Sequence, residues 1–184
     1  MARTPSNMMP LGTIAPSFSL LEPSSGETLS LDSVKGSKGC LVMFICNHCP
    51  YVIHLQKELG KLSAFLPQGL GIVAISSNDV EAYPADRPEL MGEFAKANGF
   101  EFPYLYDETQ SVAKAYDAAC TPDFFLFDSE LRCVYRGRYD ASTPGNDEAK
   151  DGEDLLGAIS ALLAGNDVPE NQSPSVGCNI KWKQ

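Results

Sequence analysis

The chain has 184 residues, of which 43% are hydrophobic and 21% charged, and it carries a formal net charge of −10. That length and balance fit one globular domain with a well-buried core, and no apolar run reaches the roughly 18 residues that a membrane span needs. The acidic balance repels phosphate backbones, so neither nucleic acid nor a membrane is an expected partner. The first ten residues, Met1 to Pro10, lack the apolar stretch of an export signal, so the expected location is the cytoplasm. In that reducing compartment the six cysteines (Cys40, Cys46, Cys49, Cys120, Cys133 and Cys178) point to redox chemistry or metal binding rather than to a disulfide framework.

Residues 1–16, rich in Pro, Met and small polar residues, read as an arm. Phe18 to Leu21 and Leu29 to Leu31 flank the turn Pro23-Ser24-Ser25-Gly26 and predict a short hairpin. Cys40 to Ile45 is an unbroken apolar run, the pattern of a strand buried on both faces. Val52, Leu55, Leu59, Leu62 and Leu66 then recur at helical spacing, predicting a helix from about Pro50 to Phe65. Pro50 suits the first helical position, where its missing N–H costs nothing. Gly71 to Ser76 is a second buried strand, and Ser77 to Arg87 a polar loop. Pro88 opens a second helix that Gly99 ends, and Phe102 to Tyr106 is a short strand. A short helix holds Val112 and Tyr116, and Phe124 to Phe127 and Leu131 to Arg138 form a second hairpin. Leu155, Leu156, Ile159, Leu162 and Leu163 stripe a last helix. The pattern is an α/β sandwich with crossovers burying a mixed sheet. One domain is expected over residues 1–165, with residues 166–184 a C-terminal tail packed on it or extending from it.

Cys46-Asn47-His48-Cys49 lies between a buried strand and a helix. A lone C-x-x-C serves as half a zinc site in some chains, but at a strand-to-helix junction it points to redox chemistry. Unpaired N–H groups and the positive end of the helix dipole favour the thiolate there, and the thiolate is the nucleophile. Cys49, directly before Pro50, holds the cap position and gains most. Cys46 is near enough to close a small disulfide on it. The plain alternative is two inert strand-end cysteines, but inert cysteines rarely sit at a cap. Cys120-Thr121-Pro122 precedes a buried strand; its proline is an ordinary edge proline or a cis-proline that shapes a site.

Taken in order, these residues resemble the thioredoxin superfamily over residues 15–165. The segment Leu11 to Leu20 resembles the opening of peroxiredoxins. The peroxiredoxin-like branch, related to alkyl hydroperoxide reductase and thiol-specific antioxidant, is similar at Cys46 to Val52, Ser77 to Asp79, Cys120 to Asp123, Tyr135 to Arg138 and Gly177 to Trp182. The resemblance implies a thioredoxin fold: a central mixed sheet flanked by helices, with an N-terminal β-hairpin extension. Thioredoxins place their first cysteine five residues after a strand phenylalanine, which here is Cys49 counted from Phe44. Their second cysteine then falls at Val52, as does the peroxide-attacking cysteine of peroxiredoxins, and the buried thioredoxin acid falls at Met43. Cys46 then stands in for the resolving thiol, and His48 is the nearest titratable group for proton transfer. A second register aligns Cys46 and Cys49 directly with the usual pair.

By the same resemblance Pro122 matches the cis-proline, Thr121 offers its backbone to a bound peptide or partner disulfide, and Cys120 sits on the rim of that groove. Cys178 is either a resolving cysteine on a folded-back tail or part of a structural tail anchored by Ile180 and Trp182. Cys40 and Cys133 are expected in the core, and His54 at the surface. Arg136 and Arg138 are weak candidates for an arginine beside the thiolate.

Three functions follow. The first is a thiol–disulfide oxidoreductase with Cys49 as nucleophile and Cys46 as resolving thiol. The second is a thiol peroxidase whose Cys49 sulfenic acid is resolved by Cys46 or Cys178. The third is a copper or zinc module using Cys46, His48 and Cys49. The leading reading needs no cofactor and no resident metal. Its partners are a protein disulfide or peroxide substrate and a thiol reductant.

Overall fold

Two central strands are almost wholly apolar, and their alternation explains the layering. In β4 (Gly39–Phe44) the residues Leu41 and Met43 face one core, while Cys40, Val42 and Phe44 face another. Counting β1 (Arg3–Pro5), β2 (Ser19–Leu21) and β3 (Thr28–Ser30) before it, the next strand is β5 (Leu70–Ser76). In β5 Ile72 and Ala74 face the first core, and Val73 and Ile75 the second. Every β4 and β5 residue is buried, as a sheet covered on both faces requires. The computed structural model describes residues 3–184.

Helices supply the two covers. After the one-turn α1 (Leu31–Val34), α2 (Pro50–Lys61) lays Val52, Leu55 and Leu59 on the first core. It tightens into a 3-10 segment, Leu62–Gln68, which Gly69 ends at φ 94°. The predicted helix to Phe65 therefore ends four residues early as α-helix and continues as a narrower coil around Pro67. α3 (Pro88–Asn98) adds Met91 to the same side. β6 (Tyr104–Tyr106) is followed by α4 (Ser111–Ala115), which covers the second core with Val112 and Ala113. Tyr116, fully buried, meets Phe44, Phe125 and Phe127 there, ring against ring. Burying each of those phenylalanines contributes about 2–3 kcal/mol.

β7 (Cys120–Thr121), β8 (Asp123–Asp128) and β9 (Cys133–Gly137) follow, and α5 (Glu153–Ala164) returns to the first core through Leu155 and Ile159. The main sheet has seven strands in the order β3-β2-β6-β5-β4-β8-β9. β4, β5 and β6 run parallel, and β8 runs antiparallel to β4, so the sheet is mixed. β2 and β3 form the expected N-terminal hairpin.

The last strand, β10 (Val176–Asn179), belongs to a second sheet in the order β1-β10-β7. The described part of the N-terminal arm and the far end of the chain thus pair with each other. Both are tied to the strand that enters the Thr121–Pro122 peptide bond, which is cis.

Candidate functional site

β4 delivers Cys46 to the end of the central strand, and α2 begins four residues later. Cys49 is the N-cap of α2, with extended backbone, and Pro50 is its first helical residue. From the cap position the Cys49 sulfur is served by the Val52 amide of α2's first turn. Opposite stands Thr121. As a thiol, Cys49 donates to the Thr121 carbonyl at 3.2 Å, and Cys46 Sγ lies 3.5 Å from Thr121 Oγ1. Both sulfurs are shielded from solvent, Cys49 at 0% and Cys46 at 1% exposure.

The two thiols are polarised in opposite senses. Cys49 is lowered to about 4 because its thiolate accepts hydrogen bonds, first from Cys46, then from Cys178, the Thr121 side chain and the Val52 amide; burial opposes them. The Thr121 carbonyl also opposes them, since it offers a thiolate no proton. Cys46 is pushed well above its usual range, first by donating to Cys49, then by burial and by the nearby charge of Asp86. The pair therefore loses one proton readily and holds the second.

Asp86 was not foreseen. It comes from the loop that reads simply as polar in sequence, in the 3-10 turn Pro84–Asp86, and it is wholly buried. Its Oδ1 accepts from the Asn47 amide at 2.8 Å and the His48 amide at 3.3 Å. Its Oδ2 meets His48 Nδ1 at 2.7 Å and accepts from Asn78 Nδ2 at 2.8 Å. One carboxylate thus fixes both residues between the cysteines. Asn47 is held further by Tyr104, whose hydroxyl donates to its Oδ1 at 3.1 Å. The site therefore has a buried acid although Met43 occupies the expected position. His48 stacks on Tyr83 at 5.5 Å, and its Nε2 is buried with no hydrogen-bond partner among the described residues. The only sequence sign of Asp86 is an acid bracketed by Pro84 and Pro88.

Cys46, His48 and Asp86 have donor atoms within 4.8 Å of one another. The carboxylate is committed to two amides, a ring nitrogen and a side-chain amide, which describes a carboxylate that organises a loop.

The other expected residues divide. Cys178 folds back onto the site, opposite Thr121 in the β10–β7 register. Cys120 does not stand on a rim: it is fully buried with Sγ toward the Pro122 carbonyl, and burial pushes its thiol up. The reason is that β10 covers the edge of β7 that would have been the groove. Pro122 borders a cavity of about 110 Å³ with Tyr51, His54 and Tyr139. His54, expected at the surface, bonds Ser142 Oγ at 3.0 Å there. Arg136 is spent on the Met9 carbonyl and Gln172, and Arg138 on Asp154. Cys40 and Cys133 are core, with burial raising both thiols.

The AhpC/TSA family model matches residues 11–136. An uncharacterized conserved protein from Geobacillus kaustophilus is 54% identical, with TM-score 0.97, covering 100% of this chain and 97% of that one. A hypothetical protein from Sinorhizobium meliloti 1021 is 49% identical, with TM-score 0.95 and 98% of each chain covered. The thioredoxin domain of a thiol-disulfide oxidoreductase from Bacteroides vulgatus shares the fold at 22% identity and TM-score 0.58, over 70% of this chain and 89% of that one. No curated protein matches the chain.

Proposed function

The chain belongs to the AhpC/TSA family and has the thioredoxin fold, and from that premise we propose that it is a thiol–disulfide oxidoreductase with Cys49 as nucleophile and Cys46 as resolving thiol. The observation that carries this reading is the placement of two adjacent buried sulfurs, Cys49 as the N-cap of α2 and Cys46 just before it, both set against Thr121. Cys49 attacks one sulfur of a substrate disulfide, bonds to it, and expels the other sulfur as thiolate. With Cys49 now uncharged, Cys46 no longer donates to a thiolate, and its proton becomes easier to lose. Cys46 then attacks Cys49 Sγ and releases the second substrate thiolate. The substrate gains two electrons and the chain holds a Cys46–Cys49 disulfide, which an outside thiol reductant reduces in turn.

The His48–Asp86 couple is the nearest acid–base system for the Cys46 proton. The cap of α2 and the organised Asn47–His48 turn keep the sulfurs in register through both exchanges. A peroxidase reading draws on the family, but the guanidinium it would want beside the thiolate is engaged elsewhere in both Arg136 and Arg138.

The test is the pH profile of Cys49 alkylation by iodoacetamide in the reduced protein, located by peptide mass. A thiolate of low pKa gives a rate that is flat from pH 8 down to about 5 and falls only as pH approaches 4, because protonation quenches the nucleophile. Cys46→Ser combined with Cys178→Ser accumulates a mixed disulfide on Cys49, and Cys49→Ser forms none. A rate that instead climbs tenfold per pH unit up to pH 8 contradicts the reading.

A further inference from the structure

The C-terminal strand is built to present one side chain. Its register sets Cys178 opposite Thr121, the residue that addresses both motif sulfurs. The Cys178 thiol hydrogen-bonds the Cys49 sulfur. Cys49 therefore touches two thiols, one on its own loop and one from the far end of the chain.

The strand is held there closely. A Cβ on Gly177 would lie 2.0 Å from the Thr121 carbonyl oxygen, so glycine lets the backbones approach. Past Cys178, the Ile180 amide donates to the Ala119 carbonyl at 3.1 Å, and the Lys181 amide to Asn78 Oδ1 at 2.8 Å. The Lys181 carbonyl accepts from Gln110 Nε2 and from the Asp79 amide, both at 2.8 Å.

We propose that Cys178 is a second redox partner of Cys49, so that the oxidised chain shares one disulfide among Cys46, Cys49 and Cys178. The proposal rests on the reading of Cys49 as nucleophile. In the exchange, Cys178 loses its proton and attacks Cys49 Sγ of the Cys46–Cys49 disulfide. A Cys49–Cys178 bond forms, the Cys46–Cys49 bond breaks, and Cys46 leaves as a thiolate that takes up a proton. No electrons enter or leave.

The state of Cys49 gates this step. In the reduced site burial, and then the hydrogen bond and charge of Cys49, hold the Cys178 thiol up, while the Lys181 ammonium works to lower it. Once Cys49 is in a disulfide its charge is gone and that of Lys181 remains, so Cys178 ionises more easily when there is a disulfide to attack.

The experiment uses reduced full-length Cys46→Ser with excess oxidised glutathione, acid quench and peptide mass mapping, beside the wild type. Cys49 attacks the glutathione disulfide, expels one glutathione thiolate and carries the other half. Cys178 then displaces that half, so one oxidised glutathione becomes two reduced ones as two protein thiols are oxidised. Most chains are expected to show a Cys49–Cys178 link and to retain no glutathione. Cys46→Ala is expected to behave alike, and adding Cys178→Ser to either variant leaves the glutathione on Cys49. Glutathione retained on Cys49 with Cys178 free overturns the proposal and leaves the Cys49 reading standing. Cys49 unmodified in the wild type and both variants overturns the two together.

Discussion

Cys46 and Cys49 carry the same functional group, are equally buried, and differ in what they bond to. Burial alone raises any thiol, as Cys40 and Cys133 show. Cys49 goes the other way because four donors converge on it, and Cys46 rises because it is one of them. The arrangement depends on Asp86, whose four contacts lock the turn between the cysteines. Replacing Asp86 with Ala leaves the Asn47 and His48 amides, the half-buried His48 ring and the buried Asn78 side chain without their acceptor, which costs about 1–3 kcal/mol of stability. Urea unfolding of the reduced protein measures this, and a change below about 1 kcal/mol contradicts the organising role assigned to the carboxylate. The cysteines were legible in the sequence because a cap position and a C-x-x-C spacing are local properties. Asp86 was not, because it reaches the motif only through the folding of a loop that begins after the next strand.

At the scale of elements, the buried strands β4, β5 and β8 and the helices α2, α3 and α5 follow from unbroken apolar runs and helical stripes. Such patterns are set by each segment's own neighbours. The small sheet is different. β1, β7 and β10 are two to four residues long, and nothing in their composition separates them from loop. They become strands only because the two ends of the chain meet beside Pro122. That also explains why Cys120 is buried where a groove was expected: an edge that looks free in sequence is already paired. Gly177→Ala tests the element directly. A methyl driven against the Thr121 carbonyl forces β10 off β7 at a cost of about 1–3 kcal/mol, within the usual range for overpacking. Cys49, losing its cover, is expected to alkylate at least tenfold faster at pH 7. An unchanged alkylation rate would mean that β10 does not control access to the thiols.

Across the whole molecule, the fold gathers three thiols from distant stretches of chain around Thr121 and encloses them. The enclosure has a thermodynamic consequence. Interactions that stabilise the Cys49 thiolate stabilise the reduced protein, which makes its disulfide easier to reduce and the protein a stronger oxidant. The most direct measurement is a redox titration of the wild-type protein in glutathione buffers, with every disulfide identified by peptide mapping. The account predicts a single two-electron transition in which Cys49 belongs to each disulfide that forms, joined mainly to Cys46. A Cys49 that stays a free thiol across the series, or that only ever carries glutathione, would contradict it.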